Sequence, residues 1–350
     1  MKRNADHALL DSAKQNKNDE FYTQLSDIER ELQYYRDNFH GKSVLCNCDN
    51  PRVSNFFRYF VREFRSLGLK KVVATCCGTI GADLFTRFEP GVCCEYTGVG
   101  NTYDIRNLKS DGDFRSEECV KFLREADIVV TNPPFSLFRE FVSMLVRHDK
   151  KFLVIGNINA ITYKEIFGLI KSNRAWMGVN MGRGISGFIV PEYYELYGLE
   201  TKVNERGERI VSPNNCMWLT NLDIAKRHES IPLVRIYHGG NEGEYPHYDN
   251  CDAINVDRTQ DIPCDYSGLM GVPITFLHKF NPDQFEIVRF RKGDDGKDLT
   301  IGGKPTYFRI LIRNRKPNAP PKASVFAEIT KAVDPAIKAA SLAVLAKAIS

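Results

Sequence analysis

Short apolar runs separated by helix-like segments constrain the fold of this chain more than any other feature. The runs lie at 43–46, 71–74, 127–130 and 152–155. The helix-like segments lie at 53–64, 117–125 and 137–148. Strands that alternate with helices predict an α/β fold whose mostly parallel sheet is covered by helices on both faces. We expect later runs at 176–179 and 216–220 to complete the sheet.

The chain is expected to divide into three parts. Residues 1–229 carry the alternating pattern and are predicted to form one catalytic domain, with a polar excursion near 180–214. From Ser230 the alternation gives way to Tyr, Asn, Asp, Pro and Gly, which predicts a smaller, less regular region over 230–316. An Ala-rich stretch follows, and it predicts a helical tail over 317–350.

Composition excludes several classes of protein. Among 350 residues there are 10 cysteines, whose spacings suit neither a zinc site nor a disulfide framework, so we expect buried thiols, no metal and a cytoplasmic protein. No apolar stretch approaches the roughly 20 residues of a membrane span, and no apolar signal segment follows Met1, which predicts a soluble protein without a membrane partner. A net charge of +4 is compatible with a polyanion but does not select one.

The sharpest functional signal is Asn132-Pro133-Pro134-Phe135, which directly follows the apolar run that ends at Thr131. Ligands of an open parallel sheet lie beyond the carboxyl ends of its strands, so this loop is expected to face the active site. A Pro-Pro turn without a catalytic role is the structural alternative.

These four residues suit the methylation of an adenine amine, whose lone pair is delocalised into the ring. The side-chain oxygen of Asn132 and the carbonyl of Pro133 can accept hydrogen bonds from the amine and favour a more tetrahedral nitrogen. Pro133 and Pro134 restrict the loop. Phe135 offers a plane on which a base extruded from the duplex can stack. We therefore predict catalytic roles for Asn132, Pro133, Pro134 and Phe135.

Three further segments are candidates for binding a sulfonium cofactor. Phe21 and Tyr22, followed by Thr23, can provide aromatic faces for a positive charge, although the same residues suit the start of an amphipathic helix. The segment from Asn47 to Asp49 follows the first strand, where Asp49 can approach the cofactor or simply form a turn. Asp113 and Phe114 lie before the next helix, where they can bind an adenine ring or form a turn.

The order of these motifs resembles that of the EcoRI-type adenine-specific DNA methyltransferases. The resemblance runs from about Lys17 to Arg315. It includes 132–139, 212–216 and 271–277. The segment from Cys46 to Arg52 replaces the Gly-rich cofactor loop of most amino-methyltransferases, and this family shares that replacement. The Ala-rich tail after Lys316 has no counterpart in the family.

The resemblance implies a Rossmann-like sheet that uses S-adenosylmethionine, with a smaller C-terminal DNA-recognition region. It also implies a monomer that methylates adenine in double-stranded DNA, within GAATTC or a similar site, and protects that DNA from a cognate restriction endonuclease. Arginines and asparagines can read groove edges. The DNA-binding candidates are Arg183, Asn214, Asn215, His278 and Lys279, and for each of them a structural or solvated polar residue is the alternative.

Rival functions remain open at this point. Pro263-Cys264 resembles the nucleophile of carbon-5 cytosine methyltransferases, but the Glu-Asn-Val that accompanies it there is missing. An amino-methyltransferase that acts on RNA or on protein glutamine would also have to methylate a nitrogen whose lone pair is delocalised. A catalytically silent DNA-binding module would keep the same fold. An NAD-linked oxidoreductase would need Gly-x-Gly-x-x-Gly after the first strand, which is absent.

Overall fold

A computed structural model describes most of the chain. The described residues are 22–78, 90–100, 103–180, 185–190, 201–204, 207–211, 215–238, 242–291 and 298–318. Phe21, Arg183, Asn214 and the tail from residue 319 onward lie outside them. The fold consists of two compact units, and the segment Leu277–Pro282 groups with the first of them although it follows much of the second in sequence.

The first unit is built on an eight-stranded sheet. Its strands, in chain order, are β2 (Ser43–Asn47), β3 (Lys71–Cys76), β4 (Val92–Tyr96), β5 (Ile105–Asn107), β6 (Ile128–Thr131), β7 (Lys151–Asn157), β8 (Trp176–Met177) and β12 (Cys216–Thr220). Their spatial order is β5-β4-β3-β2-β6-β7-β12-β8. The four central strands pair in parallel, and only β4 and β12 run against the common direction. The mixed α/β architecture expected from the sequence is confirmed.

Helices cover both faces of this sheet. They are α1 (Leu25–Leu32), α2 (Asn55–Arg62), α3 (Glu117–Glu125), α4 (Phe138–Arg147) and α5 (Lys164–Lys171). The aromatic face of α2 packs with Val44 and Cys46 of β2 in one core. Neighbouring side chains of a strand point to opposite faces. Cys94 of β4 belongs to the same core as β2. The residue before it, Cys93, accordingly packs with Cys119 of α3 on the other side of the sheet.

Local sequence explains where two of these helices begin. The Ser54 hydroxyl accepts a hydrogen bond from Phe57 N at 3.1 Å and caps α2. Ser116 caps α3 in the same way through Cys119 N at 3.3 Å, and Glu117 and Glu118 complement the helix dipole in the first turn. These caps fix the helices that follow β2 and precede β6.

Between β8 and β12 the chain leaves the large sheet and builds a second one. β1 (Tyr22–Thr23), β9 (Phe188–Val190), β10 (Thr201–Val203) and β11 (Arg209–Val211) form an antiparallel sheet in the order β1-β9-β11-β10. The N-terminal strand therefore pairs with a segment far along the chain.

Two buried carboxylates of α1 hold the residues on either side of 181–184. Glu31 accepts hydrogen bonds from Val179 N at 2.7 Å and from the backbone and side-chain nitrogens of Asn180 at 2.8 and 2.9 Å. Asp27 accepts from the backbone nitrogen and hydroxyl of Ser186 at 2.8 and 2.9 Å. Both side chains are fully buried, and burial raises the pKa of each carboxyl despite these hydrogen bonds. A buried carboxylate is tolerated only when it is this well paired.

The second unit is a five-stranded sheet. Its strands are β13 (His247–Tyr248), β14 (Cys251–Asn255), β15 (Leu269–Pro273), β16 (Phe285–Arg291) and β19 (Arg309–Asn314), in the order β13-β14-β15-β19-β16. The strands β17 (Thr300–Ile301) and β18 (Lys304–Pro305) form a separate hairpin between β16 and β19 in the chain. The sequence predicted a less regular region, and the difference arises because its polar residues are used internally: Tyr248 Oη, for example, donates to Asn255 Oδ1 at 2.7 Å inside the sheet.

Candidate active site

The central strands β2 and β6 part at their carboxyl ends. Their parallel pairing is confined to Val44 with Ile128 and Leu45 with Val129, although β2 continues to Asn47 and β6 to Thr131. The chain runs from β2 outward through β3 in one direction and from β6 outward through β7 in the other. This point is where an open α/β sheet offers a crevice for ligands.

The loop from Asn132 to Phe135 leaves β6 at this crevice. Pro133 is buried, and the other three residues are half-buried. A short 3-10 turn, Phe135–Leu137, then leads into α4, with Leu137 N donating to Pro134 O at 3.1 Å. The buried ring of Phe138 lies against the backbone of Gly156 in β7, where a Cβ atom would overlap the ring. A glycine in the neighbouring strand thus fixes where the loop ends.

This contact makes Gly156→Ala a test of how the loop is supported. We expect the added methyl group to displace Phe138 and to lower the free energy of unfolding by about 1–3 kcal/mol, as overpacked cores do. Gly168→Ala is the matched control, because Gly168 lies in α5 with nothing within 4 Å of an added Cβ, and alanine there should stabilise the helix by up to about 1 kcal/mol. Urea denaturation measures the change in the free energy of unfolding for both variants. A change of the same sign in both would contradict the proposed overlap with Phe138.

Thr131 connects the two strand ends across the crevice. It is fully buried, and its hydroxyl donates to the Asn47 carbonyl and lies 2.9 Å from Asp49 Oδ2. The backbone nitrogen of Asp49 donates to Thr75 O of β3 at 2.9 Å. Three neighbouring strands are therefore tied together immediately before Asn132.

Asp49 is held in an environment that opposes its charge. Its carboxyl contacts the hydroxyls of Thr131 and Ser54, and burial raises its pKa to about 7 even though both contacts lower the pKa. The preceding residue, Cys48, has φ 61° in the left-handed region, which is costly for a residue with a side chain. Strain and a perturbed carboxyl at one strand end are typical of a functional site.

The structure brings Thr23 toward the same loop. Thr23 pairs with Phe188 across β1 and β9, and the ring of Phe188 lies 6.1 Å from that of Phe135 in an edge-to-face arrangement. The Thr23 carbonyl accepts from Asn55 Nδ2 at 2.8 Å, which joins β1 to the start of α2. Tyr22 is half-buried beside it in the same strand.

Two buried polar atoms of this region make no hydrogen bond within the described part of the chain. They are Oγ1 of Thr23 and Oδ1 of Asn47. Both residues are nearly inaccessible, at 3% and 2% exposure. Buried polar atoms normally have partners, so these two are available to a ligand.

Asp113 and Phe114 lie beyond the end of β3. Gly112 has φ 82° and lies so close to Cys76 O that no side chain fits, which brings the loop against the strand. Burial alone would raise the pKa of Asp113, but the hydrogen bonds from Arg115, at 2.6 to 2.9 Å, outweigh it and lower the pKa. Phe114 is buried against Phe141 of α4 at 5.1 Å. Both side chains therefore already have protein partners.

The DNA-binding candidates are dispersed. Asn215 is exposed directly before β12. Because β12 runs antiparallel to β7, pairing Cys216 with Asn157, Asn215 lies at the same edge of the sheet as Asn132. His278 is half-buried and Lys279 exposed in the segment that groups with the first unit.

No functional role was predicted from the sequence for Thr131, Ser54 or Phe188. In the sequence, Thr131 stood out only as the last residue before the Asn-Pro-Pro-Phe motif, and Ser54 only as part of the helix-like segment 53–64. Phe188 carries no local signal, because its position follows from its pairing with β1.

Cys264 is buried, and its backbone nitrogen donates to Arg235 O at 2.9 Å, as expected of a structural position. All ten cysteines are free thiols. No group of three or more His, Cys, Asp or Glu side chains in the described ranges could hold a metal ion. Within those ranges, too, every helix is too short or too polar to cross a membrane.

Comparison with known proteins decides the family. The family model described as adenine-specific methyltransferase EcoRI matches residues 9–315. The chain belongs to this family. It is 58% identical over 324 residues to the type II methyltransferase M.EcoRI of Escherichia coli, an alignment covering 90% of this chain and 99% of that protein.

Two mycoplasma proteins are more distant relatives of this EcoRI-family chain. The type II methyltransferase M.MgeORF184P of Mycoplasma genitalium is 37% identical, with 87% of this chain and 98% of that protein covered. The type II methyltransferase M.MpnI of Mycoplasma pneumoniae is 36% identical, with coverages of 87% and 97%. No solved structure is significantly similar to the chain. The resemblance inferred from the motifs is thereby confirmed, and it extends over nearly the whole chain.

Proposed function

We propose that this protein transfers a methyl group from S-adenosylmethionine to the exocyclic amine of adenine in double-stranded DNA, within GAATTC, after flipping the base out of the duplex. The observation that carries the proposal is the position of Asn132 to Phe135 at the crevice between β2 and β6. The family and its type II relatives support the reaction class. The sheet order, with its crevice between β2 and β6, supports a Rossmann-like methyltransferase domain.

The catalytic loop would act on the amine by positioning and polarising it. The Asn132 amide oxygen and the Pro133 carbonyl accept its two hydrogens and thereby direct the nitrogen lone pair out of the ring plane. The backbone of Pro133 and Pro134 holds these acceptors in place. Phe135, braced edge-on by Phe188, provides the surface on which the flipped base stacks.

The residues beside this loop fit the proposed cofactor. Bound S-adenosylmethionine supplies an electrophilic methyl group on a sulfonium centre. The Thr23 hydroxyl and the Asn47 amide oxygen are buried atoms without hydrogen-bond partners among the described residues, and they can bind polar groups of the cofactor. Tyr22, and Phe21 before it, can face the positive charge. Asp49 lies in the same segment as Asn47. Asp113 and Phe114 would approach the cofactor from beyond the end of β3.

DNA recognition is assigned to the second unit and to the region around Arg183, Asn214 and Asn215, together with His278 and Lys279. Such side chains hydrogen-bond to base edges and phosphates. The protein would act as a cytoplasmic monomer, and its methylation of GAATTC would block a cognate restriction endonuclease. The tail over 317–350 is not needed in this account.

A methyl-transfer assay tests the proposal. Purified protein with S-adenosylmethionine labelled in the methyl group is incubated with a duplex containing GAATTC and with a duplex of the same composition in which the site is scrambled. We expect labelled N6-methyladenine only in the first duplex, as measured by nucleoside analysis. Label in both duplexes would contradict the site, label in cytosine would contradict the reaction, and no label in either would contradict the proposed function.

A further inference from the structure

The two hydrogen-bond contacts of the Thr131 hydroxyl depend on whether Asp49 is protonated. Its hydroxyl has one proton to donate and lies within hydrogen-bond distance of two acceptors, the Asn47 carbonyl and Asp49 Oδ2. If Asp49 were ionised, Thr131 could satisfy only one of them, and the other oxygen would face lone pairs inside the protein. If Asp49 carries a proton, it donates to Thr131 and Thr131 donates to Asn47. Only the neutral acid satisfies both contacts.

The rest of the surroundings agree with a neutral carboxyl. Ser54 accepts from Phe57 N, so its own proton is available to the Asp49 carboxyl. Among the described residues, the thiols of Cys46 and Cys48 also interact with Asp49. Burial is the main cause that raises both thiol pKa values, followed by Asp49 for Cys46 and by Cys77 and then Asp49 for Cys48. No lysine, arginine or histidine in the described ranges contributes to the pKa of Asp49. Among these residues, no positively charged side chain compensates a negative charge on Asp49.

We propose that Asp49 is a protonated positioning residue that, through Thr131, holds the Asn47 carbonyl against the strand from which the catalytic loop leaves. Thr131 immediately precedes Asn132, and Asn47 carries one of the unpartnered buried oxygens. These hydrogen bonds from Asp49 through Thr131 to Asn47 thus couple the segment proposed to bind the cofactor to Asn132, the residue proposed to bind the adenine amine. The coupling rests on the proposed function, whereas the protonation of Asp49 does not.

Asp49→Asn tests the protonation without any cofactor. An asparagine can donate to Thr131 but does not titrate. Because folding raises the pKa of Asp49 from 3.8 to about 7, its stabilising contribution is complete below pH 4 and is lost as the pH rises to about 7. Relative to Asp49→Asn, the unfolding equilibrium of the wild type should therefore shift toward the unfolded state by about fiftyfold between pH 5 and pH 7, and level off above about pH 8.

Tryptophan fluorescence during urea denaturation reports this shift for the correct unit, because the two tryptophans, Trp176 and Trp218, both lie in the eight-stranded sheet. A difference between the two proteins that stays constant above pH 5 would overturn the protonation of Asp49. If Asp49→Asn does not fold, carbon-13 NMR of aspartate-labelled wild type replaces it. A buried aspartate that titrates near pH 7 then supports the proposal, and titration of every aspartate below pH 5 overturns it.

The coupling is tested by S-adenosylmethionine binding to Thr131→Val and Thr131→Ser, measured by calorimetry. Valine has the shape of threonine without the hydroxyl, whereas serine keeps the hydroxyl. We expect the valine variant to lose at least about tenfold more affinity than the serine variant, the loss of one buried hydrogen bond. Equal losses would overturn the coupling. No binding by the wild type would overturn the proposed function and the coupling with it, while the denaturation result would still decide the protonation.

Discussion

Asn132→Ala is expected to lower the single-turnover rate of methyl transfer by about 10²–10³-fold, the usual cost of removing one positioned polar group that stabilises a transition state. The amide oxygen is proposed to act on the amine during transfer rather than to hold the duplex or the cofactor. The dissociation constants for GAATTC duplex and for S-adenosylmethionine should therefore change by less than about threefold, as measured by fluorescence anisotropy and calorimetry.

Two other variants make this result specific. Asn132→Asp keeps an acceptor oxygen at the same position and should lose less rate than the alanine variant. Asn157 ends the neighbouring strand β7, and its side chain caps the following turn through Asn159 N at 2.8 Å, so Asn157→Ala should affect stability more than rate. Similar rate losses in Asn132→Ala and Asn157→Ala would remove Asn132 from the mechanism.

Glu31→Ala is expected to produce the largest loss of stability, about 3–5 kcal/mol in the free energy of unfolding. Glu31 is buried and accepts hydrogen bonds from Val179 N, from two nitrogens of Asn180 and from Tyr35 Oη at 2.9 Å. Removal of the carboxylate would take the acceptor from the buried Tyr35 hydroxyl and from the half-buried backbone nitrogens of Val179 and Asn180. The Asn180 side chain would keep a second acceptor, Arg30 O at 3.0 Å. Gly178, where an added Cβ would overlap Glu31, shows how closely the backbone surrounds the carboxylate.

Urea denaturation followed by tryptophan fluorescence measures this loss, and Glu29→Ala is the matched control on the same helix. Glu29 is 43% exposed and pairs with Arg62 at 2.6 Å, and exposed ion pairs contribute about 1 kcal/mol or less. If the two variants were equally stable, the buried carboxylate would not be what holds the segment at 178–180.

The sequence allowed the eight-stranded sheet to be predicted where strands are buried on both faces. The runs that became β2, β3, β6 and β7 are continuous and apolar, and such runs mark central parallel strands. β4 was missed because Cys93, Cys94 and Glu95 do not form such a run. Its two cysteines belong to different cores, which only the assembled sheet reveals.

The candidate site was predictable to the extent that it is local in sequence. Asn132 to Phe135 could be placed at a strand end because the apolar run before it was unambiguous. The approach of Thr23 and Phe188 to this loop depends on pairing between distant segments, and no local pattern encodes it. The proton relay through Thr131 was likewise invisible, since an aspartate in an Asp-Asn-Pro turn usually faces solvent.

The pairing of β1 with β9 has a consequence for how the protein becomes active. The side-chain hydrogen bond from Gln24 to Ser186 joins residues 162 positions apart, and Asn215 lies still farther along the chain. Closing such long loops before any contact compensates for the lost entropy slows folding. A ribosome-bound chain can form the strands around Asn132 but lacks a complete site, because the earliest segment waits for one synthesised much later. Activity should emerge only at the end of synthesis, as a single late event.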